Sequence, residues 1–206
     1  MKAFTGTLFK LRPLRKLRSP ATIAQMRTSA IHIGLAWVIG AAALFACSPK
    51  YNWRDYSSQD APFRVMFPDK PASHTRTIDL HGMKVEMTMT ATDVDGVMFA
   101  VGTAETPDAA SAEAALTSMK TAMVGNIRGT VTREKVGKAS SSSGAASARS
   151  AAIDIEATGK NSSNPMRLVG HFESRNKRIY QVIVLGKEND LSKENVEQFM
   201  SSFKLQ

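Results

Sequence analysis

The sequence predicts an α+β domain, a mainly antiparallel sheet flanked by two helices. Three observations carry that reading. Apolar and polar residues alternate through several short segments separated by turn residues. Two longer segments repeat their apolar residues at helical spacing instead, one mid-chain and one at the end. The order is thus strands, helix, strands, helix, with most connections between strands too short for a parallel crossover.

The first strand is Phe63-Arg64-Val65-Met66-Phe67, with Phe63, Val65 and Phe67 on one face and Pro68 and Pro71 closing it. A second run, His74–Leu80, ends at His81-Gly82. In the third, Met83, Val85, Met87, Met89 and Ala91 share a face opposite Lys84, Glu86, Thr88 and Thr90. Asp95-Gly96 is a hairpin turn signal, and Val97, Phe99 and Val101 begin the return strand. Thr106-Pro107 opens a helix as N-cap and first helical residue. Ala112, Leu116, Met119, Met123 and Ile127 form its apolar face, and Gly125 or Gly129 marks its end. Thr130–Val136 is a further strand. Lys138–Ser150 is a small-residue bridge, either a flexible hairpin loop or a loosely specified pair of strand ends. Ile153 and Ile155 face one way in Ala152–Thr158, and Asp154 and Glu156 the other. Residues 159–165 form a polar turn. Met166–Glu173 and Ile179–Leu185 make the last hairpin around Arg175-Asn176-Lys177. The closing helix spans Leu191–Phe203, with Val196, Phe199, Met200 and Phe203 on one face.

Upstream of the domain the chain changes character. Ile31–Ala46 is an uncharged apolar run apart from any protonation of His32, and it is short beside the ~20 residues of a spanning helix. Before it lie Lys2, Lys10, Arg12, Arg15, Lys16, Arg18 and Arg27 and no acid. A basic segment, an apolar run and small residues at its end make a secretory signal. Met26-Arg27-Thr28-Ser29 with that run is a complete compact signal, so translation is expected to begin at Met26. The other reading is a genuinely long basic segment.

The chain carries a formal charge of +9 from 27 basic and 18 acidic residues. The seven bases before Cys47 account for most of it: without them 20 basic residues face 18 acidic ones, a net of +2. A basic domain for nucleic acid is therefore not expected. Cys47 to Gln206 is 160 residues, enough for one domain with its own core.

Leu44-Phe45-Ala46-Cys47, with the only cysteine of the chain, closes the apolar run and resembles the lipobox of bacterial lipoproteins. Phe45 is bulkier than the residue usual there. The resemblance implies cleavage before Cys47, a diacylglyceryl thioether on its thiol and acylation of the new amine. Several acyl chains on one residue make a durable anchor where one holds only marginally. The alternatives are a buried structural cysteine or a signal-anchor helix in the inner membrane. Ser48 rather than Asp after the cysteine favours, by the same resemblance, the outer membrane facing the periplasm. Residues 1–46 are then leader, 47–60 a lipidated tether and 61–206 the domain. The tether has no regular period, and its Tyr51, Trp53 and Tyr56 suit either the membrane interface or the domain edge.

Phe63-Arg64-Val65-Met66-Phe67-Pro68-Asp69-Lys70-Pro71 resembles the opening strand of Mog1/PsbP-like domains, and Phe199-Met200-Ser201-Ser202-Phe203-Lys204 their terminal helix. The resemblance implies an antiparallel sheet sandwiched with helices. It implies little about activity, because such domains include photosystem accessory proteins and a small-GTPase-binding protein.

No catalytic constellation stands out. His32, His74, His81 and His171 form no close-spaced metal pair, so no metal site or cofactor is expected. Ser140–Ser143 lie outside any nucleophile elbow. Asp93/Asp95 and Asp154/Glu156 read as solvated strand faces. Met83, Met87, Met89, Met119 and Met123 sit at core positions by period. The expected role is a membrane-anchored envelope lipoprotein, non-catalytic, acting as an accessory or protein-interaction module with an envelope partner. The alternative is a periplasmic small-ligand or lipid-binding domain with an apolar groove between sheet and helix. A catalytic site dispersed along the sequence would be visible only in three dimensions.

Overall fold

The computed structural model of the protein describes residues 50–80, 82–137 and 150–206. Its strands in chain order are β1 (Arg54–Ser57), β2 (Phe63–Phe67), β3 (Ala72–Leu80), β4 (Met83–Val94), β5 (Val97–Glu105), β6 (Thr130–Gly137), β7 (Ser150–Asn161), β8 (Asn164–Arg175), β9 (Arg178–Lys187) and β10 (Lys204–Leu205). Helix α1 (Ala109–Asn126) follows β5, and α2 (Lys193–Ser202) precedes β10. Seven strands form one sheet in the order β3-β4-β5-β9-β8-β7-β6, and β1-β2-β10 form a second. Every neighbouring pair is antiparallel. The α+β architecture expected from the sequence is the one observed.

Tight turns set the register. Asp95 and Gly96 both adopt positive φ, 53° and 82°, as a two-residue hairpin loop twisted to match its strands requires. Asp93 Oδ1 accepts the Gly96 N–H at 2.9 Å and closes the turn. Between β7 and β8 the strands run almost to the loop tip, with Ser162 at φ 54°. The polar turn read over residues 159–165 is therefore much shorter, and Pro165 pairs with Lys160 inside the ladder. Its place at the start of β8 is one a proline tolerates.

Both ends of α1 differ from expectation. The N-cap is Asp108, whose Oδ1 accepts the Ser111 N–H at 2.8 Å. Thr106 is engaged elsewhere: its N–H and its hydroxyl both reach the Lys177 carbonyl, at 2.8 Å each. That ties the helix entry to the β8–β9 turn. At the other end the helix runs through Gly125, and Arg128, not a glycine, takes the left-handed conformation at φ 47°. The Ile127 carbonyl then accepts the Lys160 N–H at 2.7 Å, fixing the helix end on β7.

Two apolar layers form on opposite faces of the large sheet. On one, Ala112, Ala115, Leu116 and Met119 of α1 pack on Val85, Met87, Ala100, Ile153, Ile155, Leu168, Phe172 and Ile183. Met83, Met87 and Met89 belong to this layer. On the other, Phe63, Val65 and Phe67 of β2, with Val196 and Phe199 of α2, pack on Phe99, Val101, Tyr180, Val182 and Val184.

α2 is shorter than the run read from the sequence. Ser192 caps it, and Leu191 and Phe203 are buried just outside its ends. β10, at two residues, is too short to show a period in the sequence. It pairs with β2 and brings the two segments resembling Mog1/PsbP-like domains side by side. Phe67 meets Phe199 at 5.4 Å and Phe63 meets Phe203 at 5.9 Å between ring centroids. The Ser202 hydroxyl accepts the Met66 N–H at 3.0 Å.

The segment read as a tether belongs to the fold from Tyr51 onward. Tyr51 and Trp53 stack at 6.1 Å and each meets the Phe99 ring edge-on, at 6.3 and 6.1 Å. Asn52 donates its N–H to the Pro68 carbonyl at 2.7 Å. Arg54–Ser57 then pairs with β2, and Tyr56 packs edge-on against Phe67 at 5.6 Å. The aromatics therefore take the domain-edge alternative. A four-residue strand is too short to show a period, and three rings in six residues supply the contact area that holds it.

Candidate functional site

Leu44, Phe45, Ala46 and Cys47 lie outside the described residues, as do His32, His81 and Ser140–Ser143. His74 sits on the edge strand β3, exposed, opposite Met89. His171 is the histidine that the fold surrounds with charge.

The α2-side face of the large sheet is split. Its β5 and β9 part is apolar and covered by β2 and α2. Its β8, β7 and β6 part carries charge in cross-strand rows set by register. One row runs Val182, His171, Asp154 and Lys135, and the next Val184, Val169, Glu156 and Arg133. Glu173 stands between Tyr180 and Ala152 in a third.

His171 joins two strands. Its Nδ1 lies 2.6 Å from Asp154 Oδ1 and its Nε2 lies 3.1 Å from Glu173 Oε2. The ring is largely buried, with Phe203 at 6.0 Å. Burial disfavours the imidazolium, but the hydrogen bonds to Glu173 and Asp154 outweigh it, and the pKa is raised above the ordinary 6.5. The protonated ring donates to both carboxylates, whereas a neutral ring leaves one facing a lone pair. Because its nitrogens point to opposite sides, the two carboxylates cannot converge on one metal ion. Both ring nitrogens of His171 are thus engaged by carboxylates. Among the described residues no group of three or more His, Cys, Asp or Glu side chains is arranged to hold a metal ion.

Glu173 is nearly sealed, its side chain 5% exposed, and its Oε1 has no hydrogen-bond partner among the described residues. Beside it, burial pushes the Tyr180 phenol up to about 12, against the opposing influence of Arg178 and Arg175. Tyr180 is therefore a neutral phenol throughout the physiological range.

Glu156 is the second hub. Its Oε2 accepts from Arg167 Nη2 at 2.9 Å and its Oε1 from Arg133 Nη1 at 3.1 Å. Arg167 foremost, with Arg133, holds its carboxyl below the usual carboxylate range despite some burial. Two adjoining hollows flank this pair along α2. The first, about 260 Å³, is bordered by Lys135, Asp154 and Gly170, and the second, about 500 Å³, by Arg167, Lys193, Val196 and Glu197. Both share Arg133, Glu156, Val169 and Met200. Together they form an open groove with an apolar floor and charged walls, within the size range of ligand and peptide sites. A separate hollow of about 330 Å³ lies at the β8–β9 turn, among Arg175, Lys177, Arg178, Glu105, Tyr180 and Pro62.

Asp154 and Glu156, read from sequence as a solvated face, thus hold a histidine and two arginines. The signal was divided between strands: His171 and Glu173 two apart on β8, their partner on β7, and nothing in the sequence giving the register.

No protein-family model matches the chain, and no curated protein does. Among solved structures it is similar to the solution structure of cyanobacterial PsbP (CyanoP) from Synechocystis sp. PCC 6803, at 11% identity and a TM-score of 0.45, over 81% of this chain and 99% of that one. Nothing about activity carries over at that distance.

Proposed function

We propose that this protein is a lipid-anchored module of the bacterial cell envelope that works by binding, with the charged groove beside α2 as its contact surface for an envelope protein. One observation carries the reading. A lipobox-like Leu44-Phe45-Ala46-Cys47 ends an apolar run, and only Ser48, Pro49 and Lys50 separate it from chain docked on a folded domain. Such an order suits a protein whose first mature residue is its anchor.

The groove supports the binding half of the reading. Charged walls over an apolar floor of Val169, Val196 and Met200 combine the two features a protein contact uses, a desolvated centre and a polar rim. The alternative, a small-ligand site between the Met-rich strand and α1, has less in its favour. There Leu80, Met83, Ser111 and Ala115 border a hollow of about 200 Å³. That is below the usual size of a small-molecule site.

Mass spectrometry of the membrane fraction tests the anchor: an N-terminal, lipid-modified Cys47 is expected, and an intact unmodified leader overturns it. For the groove, a defined envelope protein should co-purify with the wild type and be lost from an Arg133→Glu, Arg167→Glu variant. Equal recovery from both removes the groove from the proposal.

A further inference from the structure

The domain has two ends, and the chain enters at one of them. Lys50 Nζ pairs with Asp95 Oδ2 at 3.0 Å, at the β4–β5 turn. Tyr51 and Trp53 lie on Phe99, close to that turn, and the Asn52 N–H is held by Pro68 at the exit of β2. Gly186 is at the same end, since a Cβ there would lie 3.1 Å from the Gly96 carbonyl. The 3-10 turn Glu188–Asp190 follows directly. The β8–β9 turn is at the other end, because Arg178 pairs with Glu105 at the far terminus of β5. β5 is 9 residues long, so the two ends stand about 30 Å apart.

Three peptide steps link Cys47 to Lys50, and a chain spans at most about 3.6 Å per residue, roughly 11 Å here. We infer that the end of the domain bearing the β4–β5 turn and the Glu188–Asp190 turn is its lipid-facing surface, pressed to the bilayer that holds the acyl chains on Cys47. The inference rests on the anchor proposed above and adds an orientation to it. The occupant of that end is fixed by the length of chain outside the structure and by where that chain lands. Tyr51 and Trp53 are not interfacial anchors in this arrangement; they are the clamp that fixes where the linker leaves the domain. The hollow at the β8–β9 turn, with Arg175, Lys177 and Arg178, then points away from the membrane.

The test uses the full chain in membranes of its host, with one added cysteine carrying a fluorophore, at Asn189 or at Asn176. Lipids with a headgroup nitroxide are then added. The label at Asn189 should be quenched several-fold more than the label at Asn176. Lengthening the linker with a Gly/Ser insertion between Ser48 and Pro49 should abolish the difference while leaving the protein in the membrane. Equal quenching of the two labels without the insertion overturns the orientation. An unmodified Cys47 with protein in the soluble fraction overturns the anchor itself, a separate outcome read by mass spectrometry of the same samples.

Discussion

Replacing Trp53 with alanine tests whether the entry segment is clamped or free. The Trp53 ring makes two aromatic contacts, with Tyr51 and Phe99, both at 6.1 Å. Such pairs contribute about 0.5–1.5 kcal/mol each beyond burial, so the variant loses about 1–3 kcal/mol of clamping. That range is a 5- to 150-fold change in an equilibrium, by the arithmetic of about 1.4 kcal/mol per factor of ten. The assay is limited trypsin digestion of the full chain, following the Arg54–Asp55 bond by mass spectrometry. Arg54 lies in β1, paired with Phe67, and is cut only when the segment opens. Where opening and closing are fast relative to cleavage, the cutting rate tracks the open population. Cleavage at Arg54 should therefore accelerate 5- to 150-fold in Trp53→Ala, and the bulk of β4–β9 should stay resistant. Wild-type cleavage at Arg54 as fast as in a free peptide of the same sequence would refute the clamp. So would an unchanged rate in the variant.

Other substitutions probe the frame around the site. Gly159→Ala places a Cβ against the Ile127 carbonyl and the Gly129 backbone, which cannot swing aside, and should cost about 1–3 kcal/mol in a urea titration. Gly102→Ala meets the Met89 sulfur at 2.5 Å, the movable part of a flexible side chain, and should cost less in the same titration. Asp108→Ala removes the cap on Ser111 N–H and should lower the urea midpoint, whereas Asp108→Asn, which can still cap, should largely keep it. For His171 the sign follows from its raised pKa. The folded state holds the proton more tightly, so the stabilisation is fully present below the unfolded value of 6.5 and is lost as pH rises through the folded value. The urea midpoint gap between wild type and His171→Gln should thus be widest in mild acid and narrow above neutrality; a gap that widens with rising pH would contradict the imidazolium.

Much of the fold is legible in sequence because alternation survives without any knowledge of neighbours. Met83, Val85 and Met87 show their face by period alone, and Asp95-Gly96 announces its turn through the backbone conformation it permits. What stayed hidden is what depends on pairing across distance. β10 is two residues long and exists because β2 lies beside it. Thr106 has every local qualification for an N-cap, yet the Lys177 carbonyl, 71 positions away, claims its hydroxyl. The Asp154–His171–Glu173 cluster is likewise a product of β7–β8 register. The lipobox reading is of another kind: it is carried wholly by the sequence.

The split face of the large sheet follows from helix length. α1 has 18 residues and so spans about 27 Å. It begins beside Leu80 and Met83 and ends on Gly159, crossing the sheet from the β3–β4 hairpin to β7. Seven strands at about 4.8 Å spacing measure nearly the same width, so α1 covers the middle of that face, while the edge strands keep polar residues there, His74 and Arg76 on β3 and Glu134 on β6, the last paired with Lys120 of the helix. α2 has 10 residues, about 15 Å, and shares its face with a sheet of only three strands. Cover runs out over β8, where Val169 is the last apolar residue packed on this core, and the side chains facing this way from there outward include His171, Glu173, Asp154, Glu156, Arg133 and Lys135. Buried apolar residues there would have been left wet; charged ones make their own pairs and leave a groove along α2 where the cover stops. The polarity of alternate residues in β6, β7 and β8 is thus set by how far a short helix reaches, and the groove lies along that limit.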